Sequence, residues 1–345
     1  MSSSKASVTT LPTFYDGANA DVWGYRPDTA AIAAEAQSWR KSHGILPVGS
    51  DRKIVTVLGI DDQHDFCHKE GSLYVGGSEA DTRRFVEFAY REMARITAMW
   101  FTLDSHYHIQ IFFPVFWLDE NDEHPAPGTQ IASDEVKSGK WRVNPMVAKD
   151  ICGGDYMWLQ TYAEHYCSQL EQDDRYKLTI WPPHVILGEA GHTLMGVVQE
   201  LRMFYSYVRG GQSWVEIKGG HPLSENYSVF RPEVLKSHDD RMKLQKNTGF
   251  VECLLRSNVV VIGGQAKSHC VAWTIDDFLT EIMAKDPSLV SKVYLLEDCT
   301  SPVVIPGILD CTDMGNAAFE RFKDAGMHVV QSTTPMEDWP DIDLG

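Results

Sequence analysis

The chain has 345 residues, 43% of them hydrophobic, enough for one large α/β domain or two ordinary ones around a sizeable core. Its 31 basic residues against 48 acidic ones give a net charge of −17, which argues against nucleic acid or an anionic membrane surface as partner and favours a small neutral or cationic molecule. Seven cysteines, an odd number with neither paired spacing nor a C-x-x-C, point to a reducing compartment. The N-terminus lacks the apolar core of a signal peptide and no run approaches membrane-spanning length, so a soluble cytoplasmic protein is expected.

Residues 1–50 read as an N-terminal arm and helix. The arm, to about residue 26, is rich in Ser, Thr and Gly and reads as poorly structured, with Trp23 and Tyr25 marking where its end docks. Asp28 then caps an Ala-rich helix to about residue 43, with Ile32, Ala36, Trp39 and His43 on one side. From Lys53 a βα rhythm begins. IVTVLGI (54–60) reads as a buried strand, and 78–96 as an amphipathic helix whose apolar face includes Phe85, Phe88, Ala89, Met93 and Ile96. Strand-like runs recur at 97–103, 177–181, 213–217, 258–262, 292–296 and near 327–331, with helical patterns at 189–208, 271–284 and 313–325. This alternation predicts an α/β protein: a three-layer αβα sandwich with a mainly parallel, doubly wound sheet of about six strands. One such domain spans 51–335, followed by a tail at 336–345.

One interval breaks the rhythm. Residues 105–176, after the second strand, form a connection long enough to read as a lid-like insertion. Its first half is loop-like, with Pro114, Pro125 and Pro127; its second half carries a helix at about 155–171, with Tyr156, Leu159, Tyr162, Tyr166 and Leu170 at helical spacing.

In open α/β sheets ligands bind at the carboxyl ends of the strands. The residues there are chemically rich: Asp61, Asp62, Gln63, His64 and Asp65 after the first strand, Asp104, His106 and His108 after the second, His184 after the third, Lys218 after the fourth, and a glycine turn leading to Cys270 after the fifth. Singly, each has an ordinary reading as a loop carboxylate, a solvated lysine, a core histidine or an inert buried thiol. Together they form an activated nucleophile with its partners. Cys270 opens a helix, whose positive end lowers a thiol pKa and favours the thiolate. Lys218 stabilises that thiolate, and Asp61 relays its proton. Asp104, His106 and His184 offer the oxygen and nitrogen ligands of a divalent metal with open positions. His108 lies on the same side of DSHYHIQIFF as His106, either as a fourth ligand or merely as a strand residue.

These blocks resemble the isochorismatase-like cysteine hydrolases, most closely the metal-dependent nicotinamidases (pyrazinamidases). IDDQHDFCHKEGSL (60–73) is similar to the family's opening block, LDSH (103–106) to its D-x-H metal pair, and IWPPHVILGEAGH (180–192) to the segment of its third ligand. VEIKGG with ENYSVF (215–230) resembles the lysine block, and GGQAKSHCVAWTIDD (263–277) the nucleophile block. The resemblance implies that Cys270 attacks a carboxamide carbonyl, with the oxyanion held by the backbone N–H groups of Ala266 and Cys270. Asp61 acts as acid and base, and a cis peptide lies between Gln265 and Ala266. It further implies zinc, or else iron, holding a pyridine nitrogen, aromatic pocket positions at Phe66, Trp181 and Tyr227, and a tendency to homo-oligomerise. Departures concern the substrate: the 105–176 insertion, Lys267 and Ser268 in place of a Thr-Asp pair, the amide of Gln265 offered toward the substrate, and a second carboxylate at Asp62. The expected activity is hydrolysis of nicotinamide, or a related aromatic or cyclic amide, to the acid and ammonia through a thioester. A carbamoyl, ureido or vinyl-ether hydrolase and a catalytically silent binding protein are the alternatives.

Overall fold

Buried runs rich in Val and Ile supply the centre of the protein. A computed structural model describes residues 10–172 and 176–345. Six strands, β1 (Val55–Ile60), β2 (Ala98–Asp104), β3 (Ser213–Lys218), β4 (Val259–Gly264), β5 (Val293–Leu296) and β6 (His328–Val330), form one sheet. Their order is β6-β5-β4-β1-β2-β3 and every pairing is parallel. The central strands β1 and β4 are buried along their whole length, as a sheet covered on both faces requires.

Parallel neighbours need crossovers, and helices provide them. The longer helices are α1 (Thr29–Ser42), which precedes the sheet, and α2 (Ser78–Arg91), α3 (Tyr156–Leu170), α4 (Gly196–Arg209), α5 (Thr248–Arg256), α6 (Ala272–Lys285) and α7 (Thr312–Asp324), which lie between or after its strands in the chain. Helices α1 and α2 pack on α4, while α5 and α7 pack on α6. The α1 cap is Asp28, whose carboxylate accepts from the N–H groups of Ala30 and Ala31. Helix α2 stops at Arg91 rather than 96, although Met93 and Ile96 remain buried beyond it. The helix expected from 189 begins only at Gly196. Before it, Ala190–His192 forms a short 3-10 turn in which Gly191 lies so close to Asp65 that a Cβ would sit 2.2 Å from the carboxylate.

Two further expectations change. The run 177–181 is not a strand of the main sheet: Leu178–Thr179 pairs antiparallel with Gln130–Ile131 of the insertion, and Pro182 and Pro183, lacking N–H donors, stop it from extending. The N-terminal arm is docked over residues 10–26, with Phe14 edge-on to Tyr90 and Phe204 and Trp23 edge-on to His64; the rest of the arm, 1–9, lies outside the described residues. The tail is anchored too, Trp339 being stacked on Phe88 and Tyr294. The insertion, apart from 173–175 outside the described residues, is built from short antiparallel pairs, the short helices Ser133–Lys137 and Ala148–Cys152, and α3, capped by Asp155 on the Trp158 N–H. Among the described residues no helix is long and apolar enough to cross a membrane.

Candidate active site

Strand register assembles the charged centre. Pairing of β2 with β3 sets Asp104 beside Lys218, and pairing of β1 with β4 brings Asp61 next to the turn after Gly264. That turn needs glycine: Gly264 has φ 111°, and a Cβ there would meet Ile60 O at 2.2 Å. The Gln265–Ala266 peptide is cis, and a wide helical turn over Lys267–Val271 then delivers Cys270 at the mouth of α6.

The Lys218 ammonium joins the group. Its Nζ lies 2.9 Å from Asp61 Oδ2, 3.1 Å from Asp104 Oδ1 and 3.5 Å from Cys270 Sγ, and donates to the Asn226 carbonyl at 2.8 Å. Asp61 is also fixed from below: its N–H donates to Thr102 Oγ1 at 2.9 Å, and the Thr102 hydroxyl donates back to its carboxylate. Thr102 was not singled out from the sequence, although strand alternation sets it on the same face as Asp104.

Burial sets the protonation states. It would strip the proton from Lys218, but Asp104 and Asp61 outweigh it and hold the ammonium well above its usual range. Burial raises Asp61 above the normal carboxylate range despite Lys218. Asp104 is held below that range, because His106 and Lys218 overcome the burial effect. Cys270 departs from the sequence expectation. Its burial pushes the thiol well above its ordinary value, more than Lys218 lowers it. The resting group is therefore a thiol poised beside a base rather than a standing thiolate.

Asp104, His106 and His184 converge, with one ligand atom from each lying within 4.8 Å of the others. His106 Nδ1 sits 3.1 Å from the Gly219 carbonyl, which only accepts, so Nδ1 carries the proton. Burial lowers the His106 pKa, but Asp104 outweighs it and raises the ring toward the imidazolium. A metal displacing the second proton would meet the Nε2 lone pair, which lies 3.0 Å from Asp104 Oδ2 without hydrogen-bond geometry. Two acceptors meeting in a buried place call for a cation between them. His184 is oriented the same way, by Nδ1 on the Pro182 carbonyl at 2.7 Å, and burial drives it down to about 3, into the neutral form a metal binds. The donor set fits a divalent ion of the zinc or iron type. Asp65 braces this corner, accepting from Val185 N–H at 2.6 Å and Ser72 N–H at 3.1 Å.

A cavity opens on Cys270 and is lined by Phe66, Trp181, Tyr227, His184 and Ala266 among others. Trp181 Nε1–H donates to the Tyr227 hydroxyl at 2.9 Å, and Phe66 stands edge-on to His184. Two further lining residues escaped the sequence reading. Glu225 is buried, its Oε1 accepts from the Asn226 N–H, and its Oε2 has no hydrogen bond among the described residues. Burial, opposed by His106 and reinforced by Asp104, lifts it to about 7. His269 meets Trp181 and Tyr227 edge-on. No signal but adjacency to Tyr227 and Cys270 marked either one.

Other residues are not brought in. His108 is 80% exposed and lies near Glu189, so it stands outside the ligand group. The Gln265 amide is spent on Asp81 Oδ2 at 3.0 Å and the Ser301 N–H at 3.2 Å; only its main chain is placed to border substrate. Asp62 is buried behind the site with neither oxygen hydrogen-bonded among the described residues.

No family model and no curated protein matches the sequence. Solved structures do. The yeast nicotinamidase bound to the inhibitor nicotinaldehyde aligns over 81% of this chain and 100% of its own, at 19% identity and a TM-score of 0.51. The fold is that of the nicotinamidases. A second structure of the yeast nicotinamidase gives 80% and 99% coverage, 19% identity and a TM-score of 0.50. A nicotinamidase/pyrazinamidase of Acinetobacter baumanii gives 81% and 97%, 18% and 0.49. The whole nicotinamidase fold is thus present, with about a fifth of this chain added to it.

Proposed function

We propose that the protein is a metal-dependent cysteine amidohydrolase that converts nicotinamide, or a related heteroaromatic amide, to the acid and ammonia. One observation carries the reading: a single buried ammonium, Lys218, touches the thiol, the acid/base carboxylate and a metal-ligand carboxylate at 3.5, 2.9 and 3.1 Å. The nicotinamidase fold supports it.

Cys270 Sγ attacks the amide carbonyl while its proton passes to Asp61, and Lys218 stabilises the negative charge in transit. The main-chain N–H groups of Ala266 and Cys270, both bordering the cavity, are the donors for the oxyanion. Asp61 gives its proton to the departing nitrogen, so ammonia leaves and a Cys270 thioester remains. Asp61 then takes a proton from water as it attacks; the acid leaves and the thiol is restored. Phe66, Trp181 and Tyr227 hold an aromatic ring and exclude bulk water. Asp104, His106 and His184 would hold a divalent ion, zinc before iron, which would supply a Lewis-acid contact for a heteroaromatic nitrogen. All seven thiols are free, and we place the enzyme in the reducing cytoplasm.

The test is ammonia release from nicotinamide, pyrazinamide and a panel of ureido and cyclic amides by metal-replete protein. An efficiency of roughly 10⁴ M⁻¹s⁻¹ or more on nicotinamide, abolished in Cys270→Ala, supports the proposal. Turnover that survives Cys270→Ala overturns it, and turnover confined to ureido substrates reassigns the substrate.

A further inference from the structure

We infer that the long helix of the insertion, α3, is a positioning device for the loop that braces the lysine of the site, acting through the hydroxyls of Tyr162 and Tyr166. The inference rests on the proposed function for its catalytic meaning. An insertion leaving from a metal-ligand segment reads as a roof, yet the residues that line the cavity lie outside 105–176. Helix α3 packs instead against the segment that follows β3.

That segment begins Gly219-Gly220, with Gly219 at φ 84°. Two glycines give the chain freedom just where Lys218 must be held, so the order has to come from elsewhere. The segment's first residues are held by His106 Nδ1 and Gln110 Nε2 on the Gly219 carbonyl and by the Ile111 N–H on the Pro222 carbonyl, and its further part by two buried tyrosines one helical turn apart. Tyr162 Oη–H donates to the Leu223 carbonyl at 2.7 Å, and the Glu225 N–H donates to Tyr166 Oη at 3.0 Å. A third tyrosine at the end of the insertion, Tyr176, donates to Glu233, whose N–H donates to the Glu225 carbonyl at 2.8 Å.

The fixed segment reaches the chemistry in one step. The Asn226 carbonyl accepts from Lys218 Nζ at 2.8 Å, and that Nζ stands 3.5 Å from Cys270 Sγ; the Glu225 side chain lines the cavity. Packing alone would accept phenylalanine at both helix positions. The hydroxyls are what satisfy a carbonyl and an N–H buried away from water, and in doing so they set where Asn226 and Glu225 lie. Tyr162 and Tyr166 are positioning residues: they touch neither substrate nor metal ligands.

The test compares Tyr162→Phe and Tyr166→Phe with Tyr156→Phe, a control on the same helix whose hydroxyl, among the described residues, meets Gln160. Two readouts are taken on the full-length, metal-replete protein: kcat and KM for amide hydrolysis, and the rate at which iodoacetamide alkylates Cys270, followed by peptide mapping. Both loop-facing variants are expected to lose roughly tenfold to a hundredfold in kcat, the effect of misplacing a reacting group by up to 1 Å. KM should stay within about twofold, Cys270 alkylation should slow in parallel, and the control should be unchanged. Wild-type kcat and alkylation rates in both variants would overturn the inference. So would a loss confined to KM, which marks a roof contact, or an equal loss in Tyr156→Phe, which marks general loosening. If Tyr166→Phe does not fold, Tyr162→Phe decides alone. Should the wild type release no ammonia from any amide, the proposed function fails while the alkylation arm still decides this inference.

Discussion

Replacing Lys218 with methionine keeps the length of the side chain and removes its charge, which makes it the sharpest probe of how the centre is held. At 3.5 Å from Cys270 Sγ, a unit charge stabilises a thiolate by about 5 kcal/mol at an effective dielectric of about 20. That corresponds to a loss of kcat of roughly several thousandfold. Stability should suffer as well. Asp61 and Asp104, 2.9 and 3.1 Å from the ammonium, would be left as buried carboxylates without their cation, at a cost of about 3–5 kcal/mol. Ammonia release gives the first quantity and urea unfolding at neutral pH the second. Adding Asp61→Asn to Lys218→Met should return much of the stability and none of the activity, separating the two roles. A kcat loss under about tenfold, or a stability loss under about 1 kcal/mol, refutes the reasoning.

Other substitutions read other parts of the account. His184→Ala should strip metal from the purified protein, whereas His108→Ala, at a side chain 80% exposed, should leave metal content unchanged; elemental analysis of both decides the ligand set. Asp65→Ala removes the acceptor of two main-chain N–H groups and should cost about 2–4 kcal/mol in unfolding free energy, together with weaker metal retention. Asp62 is held well above the normal carboxylate range by burial, then by Asp61 and Asp81. It therefore binds a proton in the folded state that the unfolded chain has released above its ordinary pKa, so its contribution to stability falls as pH rises from there toward the folded value. Asp62→Asn should accordingly be more stable than the wild type at pH 8 and gain less at pH 5; an advantage that does not grow with pH would contradict this.

How much of this was legible in the sequence depended on the type of signal. Continuous apolar runs such as Val259–Ile262 and the helix-period faces around Phe85 and Phe88 declare themselves, because a covered parallel sheet and an amphipathic helix have distinct periods. The ends of the strands carried the charged residues, so Asp61, Asp104, Lys218 and Cys270 could be found by position. The run at 177–181 misled because short β-rich segments look alike whether they join a main sheet or a two-stranded pair; only the register settles that. Helix α5 escaped notice, being nine residues long with a cap, Asn247, that reads equally well as a loop. The thiol pKa was misjudged because the sequence shows the helix start but not the burial, and burial is the larger effect at Cys270. Glu225 and Thr102 were invisible for the same reason: their roles come from what surrounds them across the fold.

The central claim is that Cys270 carries the acyl group. Rapid quenching of wild-type protein during turnover of nicotinamide, followed by peptide mass mapping, measures it directly. The account predicts an acyl thioester on the peptide containing Cys270, formed and lost at rates compatible with kcat and absent from Cys270→Ala. Ammonia release at full rate with no acyl group on Cys270, or with the acyl group on another residue, would contradict it.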